Sequence, residues 1–273
     1  MPEPDRYAVI GHPIAHSRSP WIHAQFARAT GQSLVYTTID APPATFAAQV
    51  REFFDGGGRG LNVTVPHKEA VLPLLATLSE RARVAGAVNT IGRQPSGVLL
   101  GDNTDGIGFV RDLTHNLRVP LAGRRVLLLG AGGAARGLLA PLLAAEPFEL
   151  VIVNRSPARA LELARRFSDR GAVRGSGYDG LASLPFDLIV NATAASLHGQ
   201  LPPLARELIG AETVCYDLAY GPTDTPFVQW ARSSGAAMAC MGGGMLVEQA
   251  AEAFLLWRGI RPDTAAVRAG LLE

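Results

Sequence analysis

Arg124-Arg125-Val126-Leu127-Leu128-Leu129-Gly130-Ala131-Gly132-Gly133-Ala134-Ala135 decides the fold. The unbroken apolar run suits a strand buried on both faces, as in a parallel sheet, and the glycine-rich residues after it can turn straight into a helix. The pattern G-x-G-x-x-A has meaning only in that strand-to-helix setting, where each small residue has its own task. Gly130 permits the tight turn, Gly132 lets backbone N–H groups approach a pyrophosphate, and Ala135 keeps helix and strand close. The helix dipole favours the anion. The alternative is a glycine-rich turn with no ligand, and the strand ahead of it argues against that.

Further along, strands are expected at 150–153, 188–191 and 214–218, alternating with helical stretches at 138–143, 158–167 and 204–208, a doubly wound pattern. The end of strand 150–153 chooses between coenzymes, because an NAD site places an acid there to accept from the ribose hydroxyls. Here the chain reads Asn154-Arg155-Ser156-Pro157-Ala158-Arg159. No acid is present, and two guanidinium groups with a hydroxyl can hold a 2′-phosphate by charge-assisted hydrogen bonds. Either arginine alone could be a solvated charge. A pair at a helix start opposes the dipole unless an anion is bound, so NADP(H) is the expected cofactor.

Upstream, apolar runs at 7–10, 34–39 and 61–65 read as strands, with helices from Ser19-Pro20, over 44–54 and from His67, where Pro20 suits a first helical turn. Runs at 88–91 and 98–101 add two short strand candidates. The expected organisation is a substrate-binding, catalytic domain over 1–106 and a Rossmann-type NADP-binding domain over 107–240. A segment at 241–273 has a long apolar helix at 245–257 after Gly242-Gly243-Gly244. That helix is expected to return to the first domain, although one capping the second sheet would read the same. The fold class is α/β, an N-terminal α/β domain plus a doubly wound domain, with the cleft between them expected to hold the reaction.

Composition narrows the function classes. At 273 residues the chain exceeds one ordinary domain, and 48% hydrophobic against 18% charged residues suits a globular protein rather than a disordered one. Twenty-five basic and 24 acidic side chains leave a formal charge of +1, so there is no general pull towards nucleic acid or an anionic membrane. The start Met1-Pro2-Glu3-Pro4-Asp5 lacks a signal-peptide pattern and no stretch stays apolar for a membrane span, which makes the cytoplasm the expected location. Cys215 and Cys240 lack zinc or redox spacing and read as buried thiols, and His12, His16 and His23 lack partners at ligand spacing, so no metal is expected.

Four polar clusters sit at expected strand ends or turns of the first half, where α/β folds bind ligands. They are His16-Ser17-Arg18-Ser19, Asn62-Val63-Thr64 with Lys68, Gly86-Ala87-Val88-Asn89-Thr90, and Asn103-Thr104-Asp105-Gly106. Their hydroxyls, amides, single ammonium and single carboxylate suit a small polyhydroxylated ligand. Each also has an ordinary reading: Ser17 and Ser19 as helix caps, Asn62 and Asn89 as turn residues, Lys68 as a surface charge, Asp105 as an Asx turn.

Seven motifs occur in order: G-x-P-I-x-H-S-x-S-P from Gly11, N-V-T-V-P-x-K from Asn62, G-A-V-N-T from Gly86, G-D-N-T-D-G from Gly101, G-A-G-G-A from Gly130, N-R-S-x-x-R from Asn154 and G-M-L-V-x-Q-A from Gly244. Together, from Gly11 to Gln249, the chain resembles the shikimate dehydrogenase family. The resemblance implies reversible NADPH-dependent reduction of 3-dehydroshikimate to shikimate, in chorismate and aromatic amino-acid biosynthesis. It implies that Ser17 and Ser19 bind the substrate carboxylate, that Asn62, Thr64, Asn89, Gln249 and Tyr220 hold the ring hydroxyls, and that Lys68 and Asp105 are catalytic. On the coenzyme side it implies Gly130 to Ala134, Asn154, Arg155, Ser156, Arg159, Leu218 and Gly242, with Glu80 near the nicotinamide. Met241 stands where many relatives have an acid, and Gly243 adds a further glycine to that turn. The expected partner is a small molecule, with neither nucleic acid nor membrane, and a homodimer is left open. A quinate or dual-specificity dehydrogenase is the alternative within the enzyme class, and a non-catalytic NADPH-binding regulator the alternative outside it.

Overall fold

In a computed structural model that describes residues 3–181 and 184–272, the chain divides into two compact units, one of Met1–Gly108 with Leu246–Glu273 and one of Phe109–Met245. Met1 and Pro2, which open the stretch read for a signal peptide, lie outside the described residues.

The first unit is built on β1 (Asp5–Gly11), β2 (Leu34–Asp40), β3 (Gly60–Val63), β4 (Thr77–Leu78), β5 (Thr90–Arg93) and β6 (Leu99–Asp102), in the order β2-β1-β3-β5-β6-β4. Strand alternation divides its core into two layers. Ala8 and Ile10 of β1 pack with Leu61 and Val63 against Phe46, Val50, Phe53 and Phe54, the buried face of α2 (Phe46–Asp55). Tyr7 and Val9 point the other way, to Tyr36. Ile22 and Phe26 of α1 (Ser19–Thr30) pack on Val247, Ala250, Ala251 and Phe254 of α8 (Gly243–Arg258) and on Val267 of α9 (Ala265–Leu272).

One feature goes beyond the sequence expectation and two differ from it. The sheet is mixed, because β5 runs antiparallel to both β3 and β6; the tight turn closed by Gln94 N–H to Val98 O (2.9 Å) can only join antiparallel neighbours. The strand expected at 88–91 begins at Thr90. No α-helix starts at His67: the chain forms turns and a 3₁₀ turn at Leu72–Leu74. Lys68 O is occupied by Val88 N–H at 2.8 Å, and Pro73 could not donate to an α-helical ladder.

Among the described residues the second unit has six parallel strands, β7 (Arg125–Leu129), β8 (Glu149–Val153), β9 (Val173–Ser176), β10 (Phe186–Asn191), β11 (Ile209–Asp217) and β12 (Met238–Met241), in the order β12-β11-β10-β7-β8-β9. The order reverses between β7 and β10, the topological switch point at which doubly wound sheets bind dinucleotides. Leu127, Leu129, Val151, Val153, Ile189 and Cys215 form one core layer with Phe227, Val228 and Ala231 of α7 (Pro226–Ser233). Helix α5 (Gly133–Ala144) follows β7, and α6 (Pro157–Arg166) follows β8. The stretch 204–208, expected as a helix, holds only a 3₁₀ turn at Arg206–Leu208, since Pro202-Pro203 precedes it and β11 starts at Ile209. Among the described residues no helix is long and apolar enough to cross a membrane.

Candidate active site

Lys68 and Asp105, distant in sequence, meet in the first unit: Lys68 Nζ donates to Asp105 Oδ2 at 2.6 Å, with side chains 13% and 5% exposed. At that burial an ion pair is far less screened than one at the surface. The backbone holds both ends. His67 anchors the turn bearing Lys68, its buried ring stacked on Phe46 with centroids 4.0 Å apart and its Nε2–H donating to Ala41 O at 2.7 Å. Asp105 opens α4 (Asp105–Arg111), and its N–H donates to Asn103 Oδ1 (3.2 Å) while Asn103 Nδ2 reaches Ala87 O (3.0 Å).

A buried polar network surrounds this pair. Asn89 Nδ2 donates to Asp105 Oδ1 (2.8 Å), Thr104 Oγ1 (2.9 Å) and Gln249 Oε1 (3.2 Å), and Asn89 Oδ1 accepts from Thr104 N–H (2.8 Å). Asn62 accepts from Tyr36 OH (2.7 Å) and donates to Asn89 O (3.1 Å) and Thr90 Oγ1 (3.0 Å). Gln249 arrives on α8 because Gly108 lets that helix approach: a Cβ at Gly108 would lie 2.5 Å from Gln249 N. The result is one oriented amide cluster around a charged pair, able to bind hydroxyl groups and to pass or accept a proton.

The remaining expected residues are placed more loosely. Thr64 is half-buried beside Gly11. Ser17 Oγ accepts from Ser19 N–H (3.3 Å) at the start of α1, and among the described residues no hydrogen bond joins this serine pair to the Lys68 cluster. Glu80 is exposed in the first turn of α3 (Glu80–Ala85) and pairs with Arg83. Tyr220 is half-buried in the turn after β11. Sequence reasoning did not assign Tyr36, Thr90 or Thr104. The two threonines lie inside quoted clusters, while Tyr36 reads only as one apolar position of β2. His12 pairs with Asp40 (3.1 Å), whereas His23 is fully buried, stacked on Tyr36 (4.2 Å), with burial pushing its pKa down to about 3. Among the described residues no group of three or more His, Cys, Asp or Glu could hold a metal.

Asp102 braces the loop that carries Asp105. It is buried, accepts from Ser79 Oγ, Arg81 and Asn103 N–H (2.7 Å), and the guanidinium of Arg81 holds it through two hydrogen bonds. Burial raises its pKa, but the hydrogen bonds from Arg81 and Ser79 outweigh that and leave it below the ordinary carboxylate range. A carboxyl depressed in the folded state contributes stability above its unfolded pKa, about 4, and loses it as pH falls through the lower folded value. Asp102→Asn should therefore cost about 1–3 kcal/mol at neutral pH. It should also flatten the acid limb of Tm against pH, and parallel acid limbs for wild type and variant would remove Asp102 from this role.

The second unit carries a turn shaped for an anion. Gly130 has φ +105°, and a Cβ there would press on Ala192 O at 3.0 Å. Gly132, the N-cap of α5, has no capping side chain and open space where its Cβ would be, so the first N–H groups of the helix remain available to a ligand. Beside it, Ser156 starts α6 without a side-chain cap, and Asn154 Nδ2 donates to Ser156 O (3.0 Å). Arg155 and Arg159 are exposed, and among the described residues neither side chain has a hydrogen-bond or ion-pair partner. The donor set fits a pyrophosphate with a further phosphate on the ribose. A Cβ at Gly242 would collide with Leu218 O, and one at Gly244 with the Asp112 carboxylate. Both glycines are thus required by close approach.

Comparison with known proteins gives matches along nearly the whole chain. Residues 9–91 match the shikimate dehydrogenase substrate binding domain, 112–198 the shikimate/quinate 5-dehydrogenase model and 242–272 the shikimate 5′-dehydrogenase C-terminal domain. The chain is 57% identical over 267 residues to the shikimate dehydrogenase (NADP(+)) of Methylococcus capsulatus, covering 98% of this chain and 96% of that one. Among solved structures, an Ael1 enzyme from Pseudomonas putida matches with TM-score 0.90 and 50% identity over 98% of this chain and 100% of its own. A shikimate 5-dehydrogenase from Thermus thermophilus, in complex with NADP(H) and shikimate, matches with TM-score 0.85 and 36% identity over 98% of each chain.

Proposed function

The chain belongs to the shikimate dehydrogenase family, NADP-dependent oxidoreductases acting on a CH–OH group, and on that premise we propose that it reduces 3-dehydroshikimate reversibly to shikimate with Lys68 and Asp105 as its catalytic residues. The carrying observation is the 2.6 Å Lys68–Asp105 pair, with the second oxygen of Asp105 taken by Asn89. The Gly130 turn with Arg155, Ser156 and Arg159 would hold NADPH, which supplies a hydride when bound. Reduction gathers negative charge on the ketone oxygen, and a cation aimed there stabilises the transition state. Lys68 is that cation, and its Nζ proton completes the alcohol; in the reverse direction the neutral amine takes the hydroxyl proton. Asp105 keeps Nζ aimed, and Asn89 keeps Asp105 from turning away. Asn62, Thr64, Asn89 and Gln249 hold the ring hydroxyls, and Ser17 and Ser19 the carboxylate. A cytoplasmic location goes with that reading.

Loss of NADPH absorbance with 3-dehydroshikimate, run beside 3-dehydroquinate, tests the reading. The expected result is rapid oxidation with the first and little with the second. Comparable kcat/KM for both would make the enzyme dual-specific, and oxidation with neither would refute the proposal. Ser17→Ala and Ser19→Ala should each raise the KM for 3-dehydroshikimate with a smaller change in kcat, because a carboxylate remote from the reacting carbon is held alike in ground and transition states. A pure kcat effect would place these serines elsewhere in the mechanism.

A further inference from the structure

Two polar side chains at the carboxyl ends of β10 and β11 have no part in the mechanism above, yet both are wholly buried: Asn191 and Asp217. Asp217 Oδ1 accepts from Asn191 Nδ2 (3.1 Å) and Ala219 N–H (3.1 Å), and Oδ2 from Ser196 Oγ (2.6 Å) and Thr225 Oγ1 (2.6 Å). Asn191 Nδ2 also donates to Ser196 Oγ (3.1 Å), and its Oδ1 accepts from Thr193 N–H (3.1 Å) and Thr193 Oγ1 (2.7 Å). A carboxylate held in a core by neutral donors alone contributes little to stability compared with apolar packing. Its effect is geometric. The two side chains fasten the turn at 193–196 to the turn at 218–220. The backbone extends the lattice through Leu218 N–H to Asn191 O (2.9 Å), Ala192 N–H to Leu129 O (2.9 Å) and Gly242 N–H to Ala219 O (3.0 Å).

We propose that Asp217 and Asn191 are a positioning pair that shapes the nicotinamide half of the coenzyme site. The inference rests on the NADP-dependent reading above. A doubly wound sheet binds one mononucleotide on each half, at its strand carboxyl ends. The half made of β7, β8 and β9 carries the Gly130 turn and Arg155, hence the adenosine 2′-phosphate. The half made of β10, β11 and β12 carries the turns that this pair fastens, including Leu218 and Gly242.

The two halves have different readouts. Asp217→Asn sets an NH₂ group among donors, so at least one hydrogen bond is lost and a donor is left buried. The expected result is a fall of roughly 10-fold or more in kcat/KM for NADPH. The fluorescence of bound NADPH at saturation should change, and the ratio of kcat/KM for NADPH over NADH should stay unchanged. Arg155→Ala should do the reverse, collapsing that ratio while leaving bound-NADPH emission alone. Should Asp217→Asn fail to fold, Ser196→Ala decides with a smaller effect in the same direction. Thr225→Ser, which keeps both hydrogen bonds of the hydroxyl, should restore what Thr225→Val loses. Folded variants with wild-type kcat, NADPH KM and emission would overturn the proposal, as would loss of the coenzyme ratio. A wild-type protein that binds NADPH but leaves 3-dehydroshikimate untouched would fault the reaction instead, because the pair is still read on bound-NADPH emission.

Discussion

Lys68→Ala should lower kcat for 3-dehydroshikimate reduction by roughly 10²–10⁴-fold, the usual worth of a positioned acid or base. The size follows from what alanine removes: the ammonium that meets charge developing on the ketone oxygen and the proton that completes the alcohol. Because that charge exists only in the transition state, the KM for 3-dehydroshikimate should move much less than kcat. NADPH affinity by titration should stay near wild type, since the residues proposed to hold it belong to the second unit. Asp105 is 4% exposed and would lose its cationic partner, so a fall in Tm is also expected. A folded Lys68→Ala enzyme with near-wild-type kcat would leave the Lys68–Asp105 contact a structural ion pair without a part in the chemistry.

The second large effect concerns coenzyme choice. Arg155 and Arg159 flank an uncapped helix start, where a positive side chain opposes the dipole unless an anion intervenes. Hydrogen bonds to charged groups are worth about 1.5–3 kcal/mol each, so each arginine removed should raise the NADPH KM roughly 10-fold or more. The pair together should erase most of the preference over NADH. NADH kinetics should barely change, because NADH has no 2′-phosphate to lose. Steady-state kinetics with both coenzymes check this, and an unchanged NADPH KM in the double variant would reassign the loop.

The second unit was readable because its decisive signals are local. The apolar run at 126–129, the glycines after it and the arginines beyond 150–153 each sit within a few residues of what they act on, and β7, β8 and the Gly130 turn lie where that reading puts them. Edge strands β9 and β12 were not legible, since Val173-Arg174-Gly175-Ser176 has neither alternation nor an apolar run, and the apolar run ending in Met238-Ala239-Cys240-Met241 has no β-branched or aromatic residue to mark a strand. In the first unit the direction of β5 was hidden, because orientation is set by the turn at 94–98 and not by the strand's own residues. The turn after Pro66 reads as a helix by composition, yet Lys68 O is claimed by Val88, a partner no local pattern reveals. The same holds for Asn191 and Asp217. Each reads as one polar residue closing an apolar run, and only the adjacency of β10 and β11 makes them a pair.

Lys68 and Asp105 are expected to act as one unit. The most direct measurement is a double-mutant cycle on kcat, comparing wild type, Lys68→Ala, Asp105→Asn and the double variant under saturating NADPH and 3-dehydroshikimate. If Asp105 works by directing the Lys68 ammonium, each single change should lose most of the rate and the double variant should be little worse than Lys68→Ala alone. Losses that multiply, with the double variant slower by the product of the two single effects, would contradict it and leave the 2.6 Å contact without a catalytic meaning.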